Sequence, residues 1–201
     1  MNHPTRLFIR EHIQDDVRKL ALQGKKFPDV DIPFAISQIA ACQKVKDKIP
    51  EFYKPGDLLY PPGLSVEQSS SQLTAKYKSD LISGKTLVDL TGGFGIDFYF
   101  LSKKFENSIY VERQENLCQI AHHNFAVLGM QNYRIINADT EIFIEELPDA
   151  DWIYIDPHRR SETGKKVFKI ADCEPDLTRI FTQLRQKSPN LLVKLSPMLD
   201  I

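Results

Sequence analysis

From Gly84 onward the chain alternates short β-branched runs with amphipathic stretches: TLVDL, DFYFLSKKF, SIYVE, ENLCQIAHHNFAVLG, YRIINAD, TEIFIEEL, DWIYIDP, a charged loop, DLTRIFTQLRQK and NLLVKLSP. Strand followed by helix, repeated to a fifth strand, predicts an α/β fold with a parallel sheet and right-handed crossovers. The best-marked crossover runs from Asn116 to Gly129, with Leu117, Ile120, Ala121, Asn124 and Leu128 on one face and Gly129 as its stop. Upstream the pattern is different. Leu7, Phe8, Ile13, Val17 and Leu20 fall near helical spacing, as do Phe34, Ile36, Ile39, Ala40 and Val45, so two helical segments are expected to pack a small core. Between them and the α/β part, IPEFYKPGDLLYPPG is dense in proline and glycine and reads as a loop or linker. The expected division is an N-terminal helical domain over 1–64 and an α/β domain over 65–201. A helix is predicted over 66–82: Ser65 and Gln68 fit a capping box, Leu73, Tyr77 and Leu81 recur every four residues as a packed face, and Gly84 stands where a C-cap belongs.

Composition narrows the classes. Of 201 residues 42% are hydrophobic and 26% charged, and no apolar run approaches the roughly 18 residues of a membrane span. The first residues lack a secretory cleavage pattern, so a cytoplasmic protein without a membrane anchor is expected. Cys42, Cys118 and Cys173 are widely spaced and outside any CxxC pattern, which predicts buried reduced thiols and no metal site. His122 and His123 adjoin on one helix and face different ways, so they share no metal either. A net charge of −1 argues against wholesale capture of nucleic acid, and the one basic cluster, Arg159 to Lys169, is the local exception.

The chemistry gathers at the strand ends, where open parallel sheets bind their ligands. Gly92, Gly93 and Gly95 follow the first strand directly and leave a turn bare of Cβ atoms, which predicts close approach of a ligand to backbone amides. Read as a GxGxxG dinucleotide fingerprint, the third glycine would fall on Phe98, too bulky for that role. Glu112 ends the second strand about 20 residues on, suited to the ribose hydroxyls of an adenosine, in NAD or S-adenosylmethionine alike. Asp139 ends the third strand, beside the place of an adenine, and Asp156 ends the fourth with Pro157 behind it. Each acid taken singly is equally a helix N-cap. Caps, however, do not require the glycines.

These residues resemble the class I S-adenosylmethionine-dependent methyltransferases, over about Lys85 to Pro197. DLTGGFG is similar to the family's DxGxGxG motif, with Asp89, Gly93 and Gly95 in place and Thr91 for the first glycine. The resemblance implies S-adenosyl-L-methionine as cofactor, held by Asp89, Thr91, Gly92, Gly93 and Gly95, by Glu112 at the ribose and by Asp139 at the adenine. Gln68 and Thr74, on the helix before the first strand, would cover its methionine end. EQSSSQLTAKYK, DLTGGFGID, YVERQENL and IDPHRR together resemble a bacterial methyltransferase group with a C-terminal THUMP-like domain, an RNA-binding module. That implies an RNA substrate. Because class I sheets usually add two strands beyond the fifth, either the sheet is truncated after strand five or the chain is a fragment, and the fragment is the favoured reading.

In amino-methyltransferases a D/N-P-P-aromatic motif receives the exocyclic amine of a flipped base. Asp156 and Pro157 match its first half, while His158 and Arg159 replace the second proline and the ring. The expected catalytic group is Asp156, Pro157, His158 and Arg159, with Arg159, Arg160, Lys165 and Lys166 contacting RNA phosphates. The expected function is methylation of a base in RNA. The alternatives are a Rossmann-type NAD-dependent oxidoreductase and a non-catalytic module that binds cofactor and RNA.

Overall fold

The computed structural model describes residues 1–61, 63, 69–158 and 169–195. Three helices open the chain: α1 (His3–Glu11), α2 (Val17–Leu22) and α3 (Ile32–Lys48), capped by the side chains of Asn2, Asp16 and Asp31. The stretch expected as a loop or linker is irregular apart from a single 3-10 turn at Pro50–Phe52, and it is packed. Phe52, Leu58 and Tyr60 are buried, the Tyr60 backbone exchanges two hydrogen bonds with the Gln38 amide, and the Tyr60 hydroxyl donates to the Phe52 carbonyl. Their cluster reaches Ala75, Ile96, Tyr99 and Phe100, so one core runs across position 64.

The α/β part follows as α4 (Gln72–Asp80), β1 (Gly84–Asp89), α5 (Ile96–Ser102), β2 (Phe105–Glu112), α6 (Glu115–Val127), β3 (Tyr133–Asn137), α7 (Thr140–Phe143), β4 (Trp152–Ile155), α8 (Leu177–Lys187) and β5 (Asn190–Val193). The five strands form one parallel sheet in the order β3-β2-β1-β4-β5. Connections run outward in both directions from β1, so the switch point lies between β1 and β4. Alternation along the strands separates two apolar layers. Leu87, Tyr110 and Tyr154 face α5 and α6, while Val88, Val111, Ile153 and Ile155 face α8 and the α7 turn.

The sequence reading needs correction at α4. Ser71 is its cap, accepting from the Thr74 backbone N–H at 3.1 Å, so the helix begins at Gln72. Ser65 and Gln68 lie outside the described residues. The face expected to pack is the solvent face: Leu73, Tyr77 and Leu81 are 80%, 64% and 52% exposed, and Ala75, Lys78 and Ser79 turn inward instead. Gly84 is no cap but the first residue of β1, where a Cβ would stand 2.9 Å from that of Asp151. On α6 the buried residues are Cys118, Ala121, Asn124 and Phe125, a face rotated from the one expected. Gly129, at φ +71°, does end it.

Candidate functional site

A cleft of about 210 Å³ opens at the carboxyl ends of β1, β2 and β3. Leu90, Thr91, Glu112, Asp139, Thr140, His158 and Glu174 line it, so of the acids predicted at the strand ends Glu112 and Asp139 share one crevice, while Asp156 is not part of its lining. A larger hollow of about 500 Å³ sits at the opposite end of the sheet, between Lys85 and Lys187, away from every strand end that carries this chemistry.

Glu112 is 6% exposed, and its position is fixed by the turns on either side. The Gly93 backbone N–H donates to Oε2 at 2.9 Å and that of Gln114 to Oε1 at 2.8 Å. Each carboxylate oxygen retains a second lone pair, so a pair of vicinal hydroxyls in the cleft would find two aimed acceptors. Asp139 stands two residues beyond β3 and caps α7, accepting from the Glu141 N–H at 2.8 Å. The cap reading of that acid is therefore realised, on the wall of the cleft.

Two glycines of the turn have a packing reason of their own. A Cβ on Gly92 would lie 2.2 Å from the Tyr110 ring, and one on Gly95, at φ +83°, 2.7 Å from the Phe125 ring. These two glycines make room for the protein's own aromatic layer. Only Gly93, at φ +55°, has open space at its missing Cβ, with the Thr91 carbonyl 3.7 Å away as nearest neighbour. Its carbonyl accepts from the Tyr110 hydroxyl at 2.5 Å. Phe98 is fully buried against Tyr110 and Phe125, filling the place a dinucleotide fingerprint keeps for glycine.

Asp89 is buried beneath the turn and does not line the cleft. Its Oδ1 accepts from the Thr91 backbone N–H at 2.9 Å, and burial pushes its pKa up to about 8. Thr91 uses its hydroxyl within the protein, accepting from the Asp156 N–H at 2.7 Å and so joining the ends of β1 and β4. Asp156 Oδ2 meets the ammonium of Lys194, one residue past β5, at 2.5 Å. Pro157 is buried, and His158 is exposed, pairing its backbone with Glu174 at 2.7 and 3.0 Å. Glu174 in turn holds Arg113 at 2.9 Å beside Glu112. Thr74 is exposed on α4 with its hydroxyl on Ser71, outside the cleft lining. Arg159, Arg160, Lys165 and Lys166 lie outside the described residues.

Two groups escaped the sequence reading. Lys78, on the buried face of α4, pairs with Asp97 Oδ1 at 2.6 Å and donates to the Ser70 and Tyr154 hydroxyls, each at 3.0 Å. Ser70 and Tyr154 both donate to Asp97 Oδ2, at 2.7 and 2.8 Å. Burial pushes the Lys78 ammonium down against the opposing pull of Asp97, and burial first, then the nearby carboxylates, raises Tyr154 far above the ordinary phenol range. Lysine placed among apolar residues at the wrong face of a predicted helix left no signal. Lys194 had one, since NLLVKLSP puts a lysine at the end of the fifth strand just as the acids end the others. Among the described residues no three His, Cys, Asp or Glu side chains converge as metal ligands, and no helix is long and apolar enough to cross a membrane.

Over 98% of its length the chain matches a candidate methyltransferase from Porphyromonas gingivalis W83, at 33% identity and a TM-score of 0.81. It spans 49%, about half, of that protein. More distant matches are an rRNA methylase from Streptococcus thermophilus (17% identity, 44% of this chain and 54% of that one, TM-score 0.38) and a precorrin 8w decarboxylase from Methanobacterium thermoautotrophicum (16%, 74% and 72%, 0.48). No protein-family model and no curated protein matches. The architecture is thus an α/β, Rossmann-like one of the class I methyltransferase type, shared with the first of these neighbours.

Proposed function

We propose that the chain is the cofactor-binding part of an S-adenosylmethionine-dependent methyltransferase that acts on RNA. The observation that carries this reading is Glu112: a carboxylate locked by the Gly93 and Gln114 amides on the wall of a cleft at the carboxyl ends of the strands, the place and chemistry for an adenosine ribose. Asp139 and Thr140 line the adjoining wall, and open space at Gly93 admits close approach to the turn. The donor set fits S-adenosylmethionine: acceptors where a nucleoside presents hydroxyls, and no glycine at Phe98 for a pyrophosphate. When bound, the cofactor supplies an electrophilic methyl group on a sulfonium. The chain's own residues orient, exclude water and hold the acceptor in line.

The similarity to the Porphyromonas gingivalis protein supports the methyltransferase part. RNA rests on the resemblance to THUMP-bearing methyltransferases and on the Arg159 to Lys169 cluster. The acceptor that the Asp156-Pro157 pair suggests is a base. The NAD-dependent alternative needs a glycine where Phe98 is buried. Ultraviolet crosslinking of methyl-labelled S-adenosylmethionine tests the reading. Labelling that S-adenosylhomocysteine abolishes and NAD does not supports it, and labelling that NAD competes equally well contradicts it.

A further inference from the structure

Resting on that methyltransferase reading, we propose that Lys194 belongs to the reacting site. The Lys194–Asp156 pair then takes a hydroxyl acceptor, which on RNA is the ribose 2′-hydroxyl, in place of the base that the Asp156-Pro157 match alone suggests.

Three observations converge. Lys194 is placed by the sheet itself: β5 pairs with β4, the Lys194 N–H donates to the Ile155 carbonyl at 2.9 Å, and its side chain leaves the same face as Asp156. Its ammonium reaches Asp156 Oδ2 at 2.5 Å, with the two side chains 29% and 33% exposed, so the pair is open to a ligand. Among the described residues, the nearby ammonium of Lys78 is committed to Asp97, Ser70 and Tyr154.

Charge development then separates the two acceptor classes. An attacking amine needs a carboxylate to accept its N–H bonds, and its nitrogen becomes positive as the new bond forms. Here the carboxylate already holds an ammonium, which repels the positive charge that an attacking amine acquires. A hydroxyl has the opposite requirements: a base for its proton and a cation beside its oxygen. Its oxygen attacks the methyl carbon and the O–C bond forms. The C–S bond breaks with its electron pair passing to sulfur, and the hydroxyl proton passes to the Asp156 carboxylate. Lys194 stabilises the negative charge on oxygen and leaves the reaction as it entered, an ammonium. The motif agrees, because IDPHRR lacks the aromatic that would stack a flipped base.

The test uses the full polypeptide, methyl-labelled S-adenosylmethionine and total RNA from cells lacking the protein, followed by alkaline hydrolysis. Cleavage by alkali needs a 2′-hydroxyl, so ribose methylation leaves label in alkali-stable dinucleotides, whereas base methylation leaves it in mononucleotides. Calorimetry on the same preparations reports cofactor binding separately. The expected result is label in dinucleotides. Lys194→Met should lose on the order of 100-fold in rate, with cofactor affinity within about threefold of the parent, and Lys194→Arg should keep more activity than Lys194→Met. Label in mononucleotides, full activity in Lys194→Met, or cofactor binding without label in dinucleotides overturns the proposal. Absence of cofactor binding is a distinct result, which removes the methyltransferase reading and this inference with it.

Discussion

The Thr91 side chain stands between two strands: its Oγ1 accepts a hydrogen bond from the backbone N–H of Asp156 at 2.7 Å, fastening the turn after β1 to the end of β4. The residue that departs from the glycine pattern thus positions the acid on the neighbouring strand. Replacing it with valine keeps the shape and leaves a part-buried N–H without its acceptor, a loss of about 1–3 kcal/mol. Thr91→Ser retains the hydroxyl and should recover most of it. Urea unfolding of the two variants checks the order.

Gly92 and Gly93 are adjacent and should respond differently to the same methyl group. Gly92→Ala drives a Cβ to 2.2 Å from the buried Tyr110 ring and should cost about 3 kcal/mol. Gly93→Ala meets open space and carries only the strain of a positive φ, about 1–2 kcal/mol. Shortening the ring by Tyr110→Leu should relieve the first and not the second, as read by denaturant midpoints of single and double variants.

How much of this the amino-acid pattern disclosed depends on what each signal encodes. Strand ends were legible because β-branched runs stop at an acid, and Glu112, Asp139 and Thr91 do meet in one cleft. The purpose of Gly92 and Gly95 was not, because the rings of Tyr110 and Phe125 come from elements 15 or more residues away, and sequence spacing carries no information on such contacts. At α4 the four-residue recurrence of Leu73, Tyr77 and Leu81 pointed to the wrong face. Burial there is decided by the Lys78–Asp97 pair, and a periodicity argument assigns lysine to solvent.

Asp89 makes stability depend on pH in a particular direction. Unfolded, its carboxyl ionises near 3.9, and folded, burial raises it to about 8. Between those values the unfolded chain has released a proton that the folded chain retains. The stabilisation is therefore whole below about pH 4, drains away as pH rises towards 8, and is flat above. Asp89→Asn removes this dependence while keeping an oxygen for the Thr91 N–H. Its stability relative to the parent should rise steadily from pH 4 to pH 8, in thermal or urea unfolding across that range.

The Lys78–Asp97 pair should be strongly non-additive. Lys78→Met leaves a buried carboxylate with the Ser70 and Tyr154 hydroxyls alone and should cost about 3–5 kcal/mol. Adding Asp97→Leu removes the stranded charge, so the double variant should be less destabilised than the sum of the singles. A double-mutant cycle by denaturant unfolding measures that coupling.

The central claim is that Glu112, held by the turn amides, receives the ribose of S-adenosylmethionine. Calorimetric titration of the parent and of Glu112→Ala with that ligand tests it most directly. Saturable binding to the parent, weakened about tenfold or more in the variant while both remain folded, is the predicted result. No heat from the parent at millimolar ligand, or equal affinity in the two proteins, would contradict it.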